Sequence, residues 1–251
     1  MEEPVSVAPG AVARVVSDAT AYGLHFLRRH GWRIALWFGC LLLPLWGFAA
    51  LVGEVHEKEV FTFDAPILNM LHAMATRKLD VFFVLVTRVG YSWGVVPMDV
   101  IVLIWLTLRR RFRDSVFFGI AVMGSAALNI AAKSYFARVR PDLWLSIAPE
   151  TTYSFPSGHA MGSATLAVAV ILLCWPTCWR WPVTLTGVVF VLLVGISRVY
   201  LGVHYPSDIL AGWTAAVAWT FGMHLLVARK APPPPPSAAP NEDTVGASSA
   251  R

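Results

Sequence analysis

With 57% apolar and only 14% charged residues in 251, and a mean hydropathy of +0.61, this chain sits far from the roughly 25% charged composition of soluble domains. The composition is that of a membrane protein, and the length leaves room for one helical domain. The formal charge of +5 is scattered among apolar spans without a polar basic face, which excludes nucleic acid as a partner.

Residues 1–10 read as disordered. Residues 11–30 place Val12, Val15, Val16, Ala19 and Tyr22 at helical spacing with Arg14, Asp18, His25, Arg28 and Arg29 around them, the pattern of an interfacial helix lying on the membrane. No cleavable signal is predicted, so the first apolar span, 33–53, serves as the insertion signal. Residues 54–78 read as a polar loop carrying Glu54, Glu57, Glu59 and Asp64. Across 79–108 the spacing predicts a short entering helix, a break near Gly90 and a second span at 91–108, which puts Asp99 at membrane depth. Two readings of Asp99 stand: it pairs with a basic or hydroxyl group of another helix, or it marks a misplaced boundary.

Beyond the basic loop Arg109–Arg113, residues 115–133 form a Gly- and Ala-rich third span, suited to close helix packing. Residues 134–157 are a loop, and 159–175, 182–200 and 206–228 are the remaining spans. Cys174 and Cys178, four apart on a predicted helix, read as packing residues, as does Cys40. After Lys230 comes a run of prolines and then polar residues, a polyproline stalk followed by disorder. The expectation is an all-α, six-transmembrane-helix bundle: an N-terminal segment at 1–30, a membrane domain at 31–230 and a disordered tail at 231–251.

Arg28, Arg29, Arg33, Arg109–Arg113, Arg180, Arg229 and Lys230 fall on one side of six crossings, which is the cytoplasm. Both termini then lie inside. Lys133, Arg138, Arg140 and Arg198 fall outside, against the insertion bias, as groups needed there for chemistry.

Three stretches carry that chemistry. Pro156-Ser157-Gly158-His159 opens a helix, and a hydroxyl, free N–H groups and an imidazole at the positive end of a helix dipole form an anion-binding corner. Upstream, Lys133 and Arg140 stand seven apart, about two turns, and so on one helical face. Downstream, Ser197-Arg198 precede His204 and Asp208. Three cations beside helix N–H groups suit a tetrahedral dianion such as phosphate. Two histidines in one pocket divide the work. Asp208, in the first turn after Pro206, reaches back to fix one nitrogen of His204, which makes His204 the nucleophile and leaves His159 as general acid. No acidic cluster offers a metal site, so neither a metal nor another cofactor is predicted.

The order and spacing of these blocks, agreeing at three, four and four positions, resemble the type 2 phosphatidic acid phosphatase family. The resemblance spans about residues 79–228 and implies metal-independent phosphoryl transfer through a phosphohistidine. It makes His204 the nucleophile, His159 the acid and Asp208 the orienting carboxylate. Lys133, Arg140, Ser157, Gly158 and Arg198 become the phosphate cradle. The related vanadium haloperoxidases are a soluble branch that six spans argue against. Arg138 is an addition: it contacts a second phosphate or a lipid head group, or, the favoured reading, it is an exposed loop arginine. Ser154, Tyr153 and Asp142 have no assigned role.

The expected function is a lipid phosphatase of a bacterial inner membrane, its site facing the periplasm or exterior. The bilayer and a phosphorylated lipid are its partners: undecaprenyl diphosphate first, then phosphatidylglycerol phosphate or phosphatidate. The alternatives are a lipid phosphotransferase, such as a lipid A modifying enzyme, and a non-catalytic lipid-phosphate transporter. Nothing in the sequence speaks to oligomeric state.

Overall fold

The computed structural model describes residues 31, 38–57 and 61–227, and within these all regular structure is helical. The predicted interfacial helix and the predicted tail lie outside the described residues. In chain order the helices are α1 (Phe38–His56), α2 (Asp64–Ala73), α3 (Arg77–Val89), α4 (Val95–Leu108), α5 (Phe112–Phe136), α6 (Gly158–Cys174), α7 (Arg180–Tyr200) and α8 (Pro206–Val227). Four of them, α1, α5, α7 and α8, are long and apolar enough to cross a membrane, whereas α4 and α6 are shorter apolar helices of 14 and 17 residues.

Local chemistry sets the boundaries. Thr76 caps α3 by accepting from the Leu79 N–H at 3.4 Å, and the expected break follows at Gly90. Helix α5 ends where Ala137 turns left-handed, φ 45°, with its N–H donating to the Lys133 carbonyl. That conformation is uncommon outside glycine and turns the chain sharply off the helix axis. Pro206 sits at the first position of α8, where its missing N–H costs nothing.

Helix α6 is the axis of the bundle, packed by α5, α7 and α8. Its sequence explains this: Ala160, Ser163, Ala164, Thr165, Ala167 and Ala169 are all buried, and small side chains let neighbouring backbones come close. Ser125 of α5 and Thr165 of α6 share a hydrogen bond of 2.8 Å inside this contact.

Two sequence expectations change. The stretch 54–78 is not a loop: α1 runs to His56, and α2 lies within the stretch. Ile67, Leu68 and Leu71 form one apolar face that packs on Val199 and Ile209, a short pattern masked by the acidic residues around it. Cys178 is exposed in the turn after α6, so it is not a packing residue on a helix with Cys174. Asp99 lies inside α4, and its Oδ1 is buried with no hydrogen-bond partner among the described residues.

Gly212 of α8 marks the closest approach. A Cβ there would meet the Ser157 carbonyl oxygen at 2.9 Å and the Met161 nitrogen at 3.1 Å, both backbone atoms at the start of α6. At Gly222, on the same helix, a Cβ would meet only Leu41 Cδ1 at 3.7 Å. Gly212→Ala is therefore expected to cost about 1–3 kcal/mol through overpacking, lowering the unfolding midpoint in detergent by several degrees. Gly222→Ala should leave that midpoint unchanged or raise it slightly.

Candidate active site

Helices α5 and α7 end, and helices α6 and α8 begin, at the same end of the bundle. Each brings one part of the predicted constellation. Lys133, in the last turn of α5, donates from Nζ to the Tyr153 carbonyl at 2.7 Å and to Thr152 Oγ1 at 3.1 Å. Arg140 reaches Thr152 as well, donating from Nη2 at 3.0 Å to Oγ1 and from Nε at 2.6 Å to the carbonyl. The two cations thus converge, though not as a helical pair. The left-handed Ala137 stops α5 before Arg140, and the 137–157 loop carries it back.

Arg198, in the last turn of α7, is 1% exposed. Its Nη1 donates to Thr87 Oγ1 of α3 at 2.5 Å and its Nη2 donates to Glu150 Oε1. Its buried Nε–H has no acceptor among the described residues, so the guanidinium keeps a donor for a further anion. Glu150, like Asp64, is not among the residues expected from the sequence at this site. Its Oε2 accepts from Arg140 Nη2 at 2.9 Å, and its Oε1 stands 3.8 Å from His159 Nδ1. Burial alone would raise its pKa, but the surrounding positive charge, Arg198 foremost, outweighs burial and holds the carboxylate down at about 2. Several cations at the end of an apolar bundle call for an anion, but only the fold shows which acidic residue supplies it.

His204 lies in the α7–α8 connection and is fully buried. Arg140 Nη1 lies 3.1 Å from His204 Nε2, and a guanidinium can only donate, so Nε2 is the accepting nitrogen. The proton is then on Nδ1, which faces Asp208 Oδ2 at 3.4 Å. Burial, then the Arg198, Arg140 and Lys133 cations, hold this imidazole well below the ordinary value of 6.5. It is neutral at physiological pH, with its Nε2 lone pair facing the cations.

His159 is in the first turn of α6, its ring 4.8 Å from that of Tyr91. Ser157 is the N-cap: its Oγ accepts from the Ala160 N–H at 3.4 Å, and its own N–H donates to the Asp208 carbonyl at 3.1 Å. Gly158 packs tightly, since a Cβ there would stand 3.0 Å from Asn129 Oδ1 and the amide would have to give way. Asn129 Nδ2 in turn donates to the Pro156 carbonyl at 3.1 Å, tying the turn to α5. Arg138 is not an exposed loop arginine. It is 16% exposed and pairs with Asp64 and Asp208. Ser154 Oγ donates to Asp208 Oδ2, and Tyr153 serves through its carbonyl. Among the described residues no three His, Cys, Asp or Glu side chains are grouped as a metal site needs.

A helical bundle with apolar crossings that gathers lysine, two arginines and two histidines at one end is the architecture of a membrane enzyme acting on phosphate groups. A family model described as the PAP2 superfamily matches residues 114–232. Phosphatidylglycerophosphatase B of Bacillus subtilis is 30% identical over 179 residues, 69% of this chain and 88% of that protein. Undecaprenyl-diphosphatase of Sulfolobus acidocaldarius is 30% identical over 182 residues, 70% of this chain and 84% of that protein. The crystal structure of a transmembrane PAP2 type phosphatidylglycerolphosphate phosphatase from Bacillus subtilis matches the fold with a TM-score of 0.65 at 26% identity, over 73% of this chain and 94% of that one. The chain belongs to the PAP2 superfamily, and it is a phosphatase.

The Glu150 carboxylate bridges the two guanidiniums that an incoming phosphate would use. Glu150→Gln is expected to make inorganic phosphate stabilise the detergent-solubilised protein at concentrations about tenfold lower than in wild type. That is the effect of releasing one charge-assisted contact of about 1.5 kcal/mol or more. A thermal-shift titration with phosphate measures it.

Proposed function

We propose that this protein is an integral membrane lipid phosphatase that transfers a phosphoryl group from a lipid phosphomonoester or diphosphate first to His204 and then to water. The observation that carries the reading is the polarity of His204, with Asp208 at the protonated Nδ1 and Arg140 at the lone-pair nitrogen Nε2.

In the first step the Nε2 lone pair attacks phosphorus and a P–N bond forms as the bond to the lipid oxygen breaks. His159, whose Nδ1 stands 3.8 Å from Glu150 Oε1, gives a proton to the departing oxygen. In the second step the now neutral His159 takes a proton from water, whose oxygen attacks phosphorus. The P–N bond breaks and inorganic phosphate leaves. Lys133, Arg140, Arg198 and the α6 N–H groups beside Ser157 and Gly158 neutralise charge on the equatorial oxygens throughout. The donor set of the pocket is cationic, so the protein itself supplies the positive charge.

The membrane topology follows the same reading. Helices α1, α4, α5, α6, α7 and α8 make six crossings within a phosphatase domain at 31–230. The site end faces the periplasm or cell exterior of a bacterial inner membrane. Its support is the opposite end, where the Arg109–Arg113 cluster and Arg180 gather and Arg113 donates to the Val227 carbonyl at 3.2 Å. The N-terminal segment 1–30 and the tail 231–251 then lie in the cytoplasm. The relatives are named for phosphatidylglycerol phosphate and undecaprenyl diphosphate, and an amphiphile with a terminal phosphate is the substrate class proposed here.

Phosphate release from undecaprenyl diphosphate, phosphatidylglycerol phosphate and phosphatidate, measured in EDTA, tests this reading. Release from at least one lipid should survive chelation and fall by about 10⁴-fold or more in His204→Ala. Equal rates in the two proteins, or release abolished by EDTA, would sink it.

A further inference from the structure

Arg138 takes no part in the reaction described above, yet its side chain is held on every side. Its Nη1 donates to Asp208 Oδ1 at 2.5 Å and to Ser207 Oγ at 2.8 Å. Its Nη2 donates to Asp64 Oδ2 at 3.0 Å. The guanidinium carbon stands 4.2 Å from the centre of the Tyr205 ring and 5.7 Å from that of Phe61. Asp64, the first residue of α2, is itself committed: Oδ1 accepts from the Ser207 N–H at 2.9 Å and Oδ2 from the Ser207 hydroxyl at 2.6 Å. Asp64 and Asp208 are 2% and 0% exposed, so two buried carboxylates share one guanidinium.

We propose that Arg138, seated by Asp64 of α2, is a positioning residue that acts through Asp208 to hold His204 in its reactive orientation. The proposal rests on the reading of His204 as nucleophile. Its physical basis is the division of the Asp208 oxygens. Oδ1 is taken by Arg138, and Oδ2 accepts from Ser154 Oγ and the Tyr205 N–H at 2.9 Å, which leaves it facing His204 Nδ1 at 3.4 Å. Without the guanidinium, Oδ1 loses a charge-assisted partner in a buried place, and the carboxylate is free to rotate or to take a proton. Either change removes the acceptor that fixes the His204 tautomer. None of the hydrogen bonds Arg138 makes among the described residues goes to Lys133, Arg140, Arg198 or Glu150, so it stands behind the cradle and not in it.

The arrangement asks for arginine. Bridging two carboxylates through separate N–H groups while stacking on Tyr205 needs a planar, forked cation, and lysine offers only a point charge. Asp64 lies outside the residues matched by the family model, and Arg138, though inside the first block, is not one of the positions that define the signature. The device also gives α2 a purpose: it ties an outer helix to the turn that presents His204.

The test compares Arg138→Met, Arg138→Lys and Asp64→Asn in the full-length protein, with phosphatidylglycerol phosphate as substrate. Arg138→Met should lower kcat about 10- to 100-fold, the range typical of groups that orient a first-contact residue, while KM moves less than about threefold. Arg138→Lys should recover part of the loss, and Asp64→Asn, which keeps both shapes, should fall between wild type and Arg138→Met. Combined with Asp208→Asn, Arg138→Met should add almost nothing further, because both act through one carboxylate. A rise in KM at constant kcat would instead make Arg138 a head-group contact, and losses that multiply with Asp208→Asn would separate it from Asp208. Either result overturns the proposal.

A readout without turnover keeps the proposal separate from the phosphatase reading: the ¹⁵N NMR titration of His204 in micelles. That ring faces Lys133, Arg140, Glu150, Arg198 and Asp208. Removing the Arg138 guanidinium should shift its midpoint and lower the Nδ1–H share of the neutral ring, because the released Asp208 carboxylate no longer holds that tautomer. An unchanged midpoint overturns the role of Arg138, whereas an inactive wild type with a shifted midpoint overturns only the phosphatase reading.

Discussion

Charge can be buried at the end of this bundle because it is balanced there, pair by pair. An isolated ion in such a place carries a penalty of several kcal/mol that only a well-placed counter-ion and further hydrogen bonds offset. Arg140 and Arg198 meet on Glu150, and Arg138 lies between Asp64 and Asp208. His204 sits between these two sets, with Asp208 on one side and Arg140 on the other, and His159 lies beside Glu150. In the proposed mechanism the first set would supply charge to a phosphate and the second rigidity to the nucleophile.

That arrangement governs the packing beneath it. Cations from α5, α7 and the 137–157 loop can converge only if the helices below lie close together, and the small residues of α6 allow this. Gly212 lets α8 cross the backbone of the Ser157 turn, and Ser157 in turn bonds to the Asp208 carbonyl. The helix start that offers N–H groups to an anion is therefore locked to the helix that carries the orienting carboxylate. Movement of either would open the distance between His204 and the cradle.

The sequence made legible the parts of this that depend on short spacing. Ser157 as a helix start, Pro206 placing Asp208 in the first turn of α8, and the break near Gly90 all follow from local rules. Convergence of Lys133 and Arg140 was legible as an outcome, but its cause was misread: two turns of helix were expected where a left-handed Ala137 and a loop do the work. Glu150 and Asp64 were hidden for a different reason. Acidic residues in polar stretches read as solvated, and only the fold brings them against arginines far along the chain. The apolar face of α2 is three residues wide, too short to stand out against its acidic surroundings.

The central claim, that His204 becomes covalently phosphorylated, is most directly tested by trapping the intermediate. In His159→Ala, p-nitrophenyl phosphate still has a leaving group that departs without an acid, while attack of water on the phosphoenzyme loses its base. Rapid mixing with the radiolabelled substrate, an alkaline quench that preserves phosphohistidine, and peptide mapping should place the label on the peptide carrying His204, in an amount approaching one per chain. Turnover without label in the protein, or label on a peptide lacking His204, would contradict the account.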